Sequence, residues 1–91
     1  MQKITIFYRE GCPYCRNARR ALAELTAENP VYASLEVEWI EESRHPEIAN
    51  QRDYSYVPSV FAGEKKLYEA SPSESYEDCR ERLRAALDAA L

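Results

Sequence analysis

Residues 11–15 read Gly11-Cys12-Pro13-Tyr14-Cys15, and the rest of the chain is ordered around them. Just before them stands a short apolar run, Ile4-Thr5-Ile6-Phe7-Tyr8, and a helical pattern opens at Arg16. Two cysteines separated by two residues, where a strand hands over to a helix, read as a redox dithiol. The first turn of a helix leaves backbone N–H groups unpaired and carries the positive end of the helix dipole. A thiol held there ionises more readily, and the thiolate is the nucleophile. On this reading Cys12 takes the N-cap and faces outward. Pro13 fits N1, where its missing N–H costs nothing and its fixed φ suits the helix. Cys15 comes one turn later, within reach of the Cys12 sulfur but further under the helix. Cys12 is therefore assigned as the attacking thiol and Cys15 as the resolving one.

Composition narrows the setting. The 91 residues suffice for one core and one domain, residues 1–91. An apolar fraction of 45% with two glycines is that of a folded chain. A net charge of −4 and a pI of about 5.0 speak against nucleic acid or an anionic membrane as partner. No apolar run approaches a membrane span, and the N-terminus lacks a cleavable hydrophobic segment, so the expected location is cytoplasmic. The three cysteines are an odd count, ill suited to a disulfide-stapled secreted fold. The competing use of Cys12 and Cys15 is half a zinc site, which only Cys79 and His45 could complete. Cys79 falls on the apolar face of the last helical pattern, where it reads as a small core residue. Pro13 suits a catalytic helix start better, and no metal is expected.

The remaining elements follow in order. Residues 3–8 read as a buried strand offering Ile4, Ile6 and Phe7 to both faces. Ala18, Ala21, Leu22 and Leu25 keep helical spacing until Asn29-Pro30 stops the helix. Leu35, Val37 and Trp39 alternate with Glu36 and Glu38, as in an edge strand with one covered face. Ser43 to Arg52 suggests a short helix, with His45 a surface residue, and residues 53–56 a loop. Val57-Pro58-Ser59-Val60-Phe61-Ala62 reads as a strand, joined by a tight turn at Gly63-Glu64 to Lys66-Leu67-Tyr68. Tyr76, Cys79, Leu83, Ala86, Leu87 and Ala90 form the apolar stripe of a last helix. Two capping boxes precede it, one at Ser71-Pro72-Ser73-Glu74 and one from Ser75 to Asp78. The order β-α-β-α-β-β-α predicts an α/β fold: a four-stranded mixed sheet flanked by three helices, similar to thioredoxin.

Cys12-Pro13-Tyr14-Cys15, with Val57-Pro58 and the strand Ser59-Val60-Phe61 some forty residues on, resembles the glutaredoxin family of the dithiol type. The likeness in size and element order covers essentially the whole chain. It implies a cis Val57–Pro58 bond, an isomer found in about 5–6% of X–Pro bonds. That bond would set the Val57 backbone beside Cys12, where an extended substrate can pair with it. The likeness further places Arg9 near a glutathione carboxylate, Tyr14 beside the bound tripeptide, and Ser71 at the start of its amino-terminal subsite. The chain departs from the family pattern at Tyr56, where threonine is common. It departs again at Tyr68-Glu69, in place of paired glycines, and at Pro72, in place of an aspartate; Glu69 or Glu74 would have to substitute for that aspartate.

The resemblance implies a thiol–disulfide oxidoreductase that reduces protein disulfides or glutathione mixed disulfides. It binds no resident cofactor and uses glutathione as co-substrate. An iron–sulfur cluster bridging a dimer is disfavoured by the proline after Cys12. Two other readings remain: a dithiol protein reduced by a thioredoxin-type reductase with little use of glutathione, and a non-catalytic module holding an extended peptide at Val57-Pro58. The Arg16, Arg19 and Arg20 cluster is a solvated helix face that also lies next to Cys12.

Overall fold

The computed structural model describes residues 2–91. Four strands, β1 (Ile4–Tyr8), β2 (Val37–Glu41), β3 (Ser59–Ala62) and β4 (Lys65–Glu69), form one sheet in the order β2-β1-β3-β4. Strand β1 runs parallel to β2 and antiparallel to β3, and β3 runs antiparallel to β4. Three helices complete the fold: α1 (Pro13–Glu28), α2 (Pro46–Ala49) and α3 (Tyr76–Ala90). The fold is the expected α/β, thioredoxin-like one.

Period-two alternation along β1 decides which helix covers which face. Ile4 and Ile6 point to one side with Val60 and Tyr68, and there α1 and α3 close over them through Ala18, Ala21, Leu25, Leu83 and Leu87. Phe7 points to the other side with Ile40 and Phe61, against Ala49 of α2. The Tyr54 ring stacks on Phe7 with centroids 5.2 Å apart. Central β1 is thus covered on both faces. Leu83 and Leu87 are wholly buried, so truncating either to alanine costs about 2–5 kcal/mol. Cys79 is fully buried in the same layer, as a core residue.

The structure differs from the sequence reading at four boundaries. Asn29-Pro30 ends α1 but also starts a 3-10 turn, Pro30–Ser34, in which the Val31 N–H donates to the Asn29 side chain at 3.3 Å. Strand β2 begins at Val37 and runs on to Ile40 and Glu41, both buried, because the sheet is covered on both sides there. Strand β3 begins only at Ser59, after a cis Val57–Pro58 bond. Of the two capping boxes, the later one starts α3: the Ser75 hydroxyl accepts from the Asp78 N–H at 3.0 Å. The earlier box closes a separate turn, in which the Glu74 N–H donates to the Ser71 carbonyl at 3.1 Å.

Candidate functional site

The left-handed Gly11 (φ 79°) turns the chain from β1 into α1 and puts Cys12 at the N-cap in an extended conformation. The Cys12 side chain caps nothing, Pro13 occupies N1, and the first turn of α1 carries no acidic residue. The Cys12 carbonyl accepts from the Cys15 and Arg16 N–H groups at 3.1 Å each, which fixes the first turn. All three cysteines are free thiols. Cys12 is half-buried, with its Sγ 3.8 Å from the Val57 carbonyl oxygen. Cys15, one turn on, is 3% exposed, and burial above all pushes its thiol up to about 12. One sulfur is presented and the other is kept underneath.

On the β4 side of Cys12 lies a groove of about 200 Å³ lined by Tyr14, Tyr56, Val57, Ser71, Pro72 and neighbours. Here the structure brings together Tyr14, Val57 and Ser71, far apart in sequence. The Ser73 N–H donates to the Tyr14 hydroxyl at 2.8 Å, which ties helix α1 to the turn before α3. Two carboxylates that the sequence offers as substitute counter-charges lie nearby. Glu69 accepts from the Ser55 and Tyr56 N–H groups at 2.6 and 2.7 Å and pairs with Lys66 at 2.6 Å. Burial pushes its carboxyl up, but the Lys66 ammonium and the two amides outweigh that and hold it below its ordinary value. Glu74 accepts from the Ser71 N–H and the Tyr68 hydroxyl, with Arg82 at 3.4 Å. Pro58 is fully buried behind Val57.

Arg9 stands on the other side. It lines the hollow that holds Cys12, Cys15, Arg16 and Arg19, and also a polar groove of about 410 Å³ between β1 and α2. Its guanidinium lies 2.9 Å from Glu42, which in turn accepts from the Tyr54 hydroxyl at 2.7 Å. Tyr54, mainly through burial, has its phenol pushed up. Arg19 lies over both the Tyr8 and Trp39 rings, 4.7 and 4.2 Å from their centroids. The basic cluster beside Cys12 is therefore partly fixed by aromatic stacking.

The sequence reading missed Glu41. Its carboxylate, 6% exposed at the end of β2, accepts from the Glu10 N–H at 3.1 Å, the Ser43 N–H and hydroxyl at 2.6 and 2.5 Å, and the Arg44 N–H at 3.3 Å. The Ser43 hydroxyl first, then the Glu10 amide, lower its carboxyl to about 2. Glu10 is two residues before Cys12, so Glu41 anchors the approach to the dithiol. The only signal in the sequence is Ser43 two residues on, a spacing suited to a local side-chain turn. Among the described residues no three His, Cys, Asp or Glu side chains are grouped to hold a metal ion. Cys79 lies in the core, and His45 stands at the start of α2 beside Glu47.

A thioredoxin-like sheet with a Cys-x-x-Cys pair at the start of its first helix defines a thiol–disulfide oxidoreductase class. A family model described as Glutaredoxin matches residues 4–67, more than half of the chain, and the chain belongs to the glutaredoxin family. No curated protein matches it. Among solved structures it is similar to human ERp44 in a zinc-bound form, with a TM-score of 0.54 and 17% identity. That match covers 90% of this chain and 25% of the other, so the chain spans a quarter of that protein's length and the likeness is one of fold.

Proposed function

We propose that the chain is a single-domain dithiol glutaredoxin in which Cys12 attacks and Cys15 resolves. The carrying observation is the asymmetry of the pair: Cys12 is half-buried at the helix start, and Cys15 is 3% exposed beneath it. The Cys12 thiolate attacks a substrate disulfide, forming a mixed disulfide and releasing one substrate thiolate, which takes a proton from water. The Cys15 sulfur then attacks that of Cys12, and its proton goes to the departing second substrate thiolate. Two electrons have passed to the substrate, and the chain is left with a Cys12–Cys15 disulfide. Val57 supports the reading, since its carbonyl borders Cys12 and its N–H has no partner among the described residues. A substrate strand can pair there.

The substrates on this reading are protein disulfides or glutathione mixed disulfides. The cycle needs no resident cofactor or metal, nucleic acid or membrane, and a reducing cytoplasm is its natural setting. Glutathione or a thioredoxin-type reductase restores the dithiol. The reductase is favoured by the engagement of Glu69 and Glu74 with their own chain, which leaves neither carboxylate free for a ligand ammonium. Arg9, Tyr14, Val57, Pro58 and Ser71 form the substrate surroundings.

Cys12→Ser is expected to abolish disulfide reduction, and full activity in that variant would overturn the scheme. Cys15→Ser is expected to accumulate a mixed disulfide on Cys12, seen by mass spectrometry. It should stop turnover of protein disulfides while sparing that of glutathione mixed disulfides. Turnover with glutathione and its reductase, set beside turnover with a thioredoxin-type reductase, identifies the electron donor.

A further inference from the structure

We propose that the groove between Tyr14 and Tyr56 is a subsite for an apolar side chain flanking the reactive cysteine of an extended protein substrate. The inference rests on Cys12 being the attacking thiol and adds what the chain selects. The groove adjoins the point of attack, because Val57 both lines it and carries the carbonyl 3.8 Å from the Cys12 Sγ. In an extended peptide, successive residues advance about 3.3 Å, so a residue next to a cysteine bonded to Cys12 can reach the groove past Val57.

The lining settles the chemistry of the occupant. Tyr56 is a large side chain left 52% exposed there, and Val57, Ala70 and Pro72 add apolar surface. Several N–H groups around it are already engaged, while that of Val57 is left for the substrate backbone. The Tyr56 N–H donates to Glu69 and its carbonyl accepts from the Ser59 hydroxyl. The Ser71 N–H donates to Glu74, and its hydroxyl accepts from Arg82 at 2.9 Å. The Ser73 N–H donates to the Tyr14 hydroxyl, and the Ala70 N–H donates to the Pro58 carbonyl at 3.0 Å. An ammonium or carboxylate entering the groove would give up water and meet no charged side chain in the lining, which is unfavourable. A leucine or phenylalanine side chain loses nothing by the same move and gains by leaving water. Charge thus selects a neutral apolar group over the charged ends of a small peptide thiol.

The test uses the reduced protein and a series of chromogenic mixed disulfides, each joining an aryl thiol to a cysteine peptide with neutral ends. The peptides carry leucine, glutamine or lysine on both sides of cysteine, and glutathione serves as a fourth member. Aryl thiol release is followed by stopped flow. Partial burial of one leucine predicts a rate about tenfold above that of the glutamine peptide, with glutathione slower still. Tyr56→Ser, at an exposed position, is expected to bring the leucine-to-glutamine ratio close to one. Pro72→Asp, also exposed, should raise the lysine peptide relative to the leucine peptide. Equal rates for the leucine and glutamine peptides in the unaltered protein would overturn the subsite while leaving the dithiol chemistry standing. A preference that survives both substitutions would overturn it equally. If no member of the series reacts faster than with free cysteine, Cys12 is not the attacking thiol and both proposals fall together.

Discussion

The loops on the two sides of the dithiol are each held by a carboxylate, but by different means. On the β2 side, Glu41 is buried, has no ion pair among the described residues, and binds three backbone N–H groups and one hydroxyl. On the β4 side, Glu69 binds two backbone N–H groups and also pairs with Lys66, whose side chain is 38% exposed. The first anchor fixes Glu10, ahead of Cys12; the second fixes Ser55 and Tyr56, ahead of Val57. Buried amide donors give an anchor that salt cannot reach. A half-exposed cation gives one that salt weakens. The side of the site that must not move has the first kind, and the side that meets substrate has the second.

Removing the buried anchor should have the largest effect. Glu41→Ala leaves the Glu10, Ser43 and Arg44 N–H groups without their acceptor. It is expected to cause the greatest fall in thermal midpoint of the substitutions considered in this comparison. It should also slow disulfide reduction on the order of tenfold, because a displaced Cys12 is poorly aligned for attack. The same anchor sets an acid limit. Its carboxyl lies at about 2 when folded, below the ordinary value of 4.5, so the folded state binds fewer protons than the unfolded one. Its stabilisation is therefore complete above pH 4.5 and is lost as pH falls toward 2. Acid unfolding followed by circular dichroism should show this slope in the unaltered protein and a flatter one in Glu41→Gln.

A smaller effect is expected from Tyr14→Phe, which removes the acceptor for the Ser73 N–H. A loss of about 0.5–1.5 kcal/mol by denaturant titration would match one hydrogen bond. The smallest belongs to Glu69→Gln, because a side-chain amide oxygen still accepts from Ser55 and Tyr56 and only the Lys66 pair is lost. A change of about 1 kcal/mol or less is expected, and it should shrink further in 1 M salt. A Glu69 effect as large as that of Glu41, or one indifferent to salt, would erase the distinction between the two sides.

What could be read from the sequence, and what could not, divides along the same lines. The helices α1 and α3 were legible because their apolar residues repeat at helical spacing over three or more turns. The dithiol was legible because Cys12, Pro13 and Cys15 each need one place at a helix start. Glu41 was not, since a glutamate at the end of a strand reads as a solvent-facing residue until the turns at Glu10 and Ser43 are known to close over it. The 3-10 turn was hidden because Pro30 stops one helix and opens the next with the same residue. The choice between Ser71 and Ser75 as the cap of α3 was undecided by pattern, because each serine makes one bond of its box and only Ser75 is followed by a helix. The convergence of Tyr14, Tyr56 and Ser71 depends on the start of α1 meeting two loops, which no local spacing encodes.

The unequal placement of the three sulfurs has a practical sequel. Cys15 and Cys79 are sealed at 3% and 0% exposure, and only Cys12 reaches the surface. A brief pulse of a bulky alkylating reagent should therefore add one label to the intact chain and three to an opened one. The mass of the labelled chain then becomes a counter of how often the interior breathes.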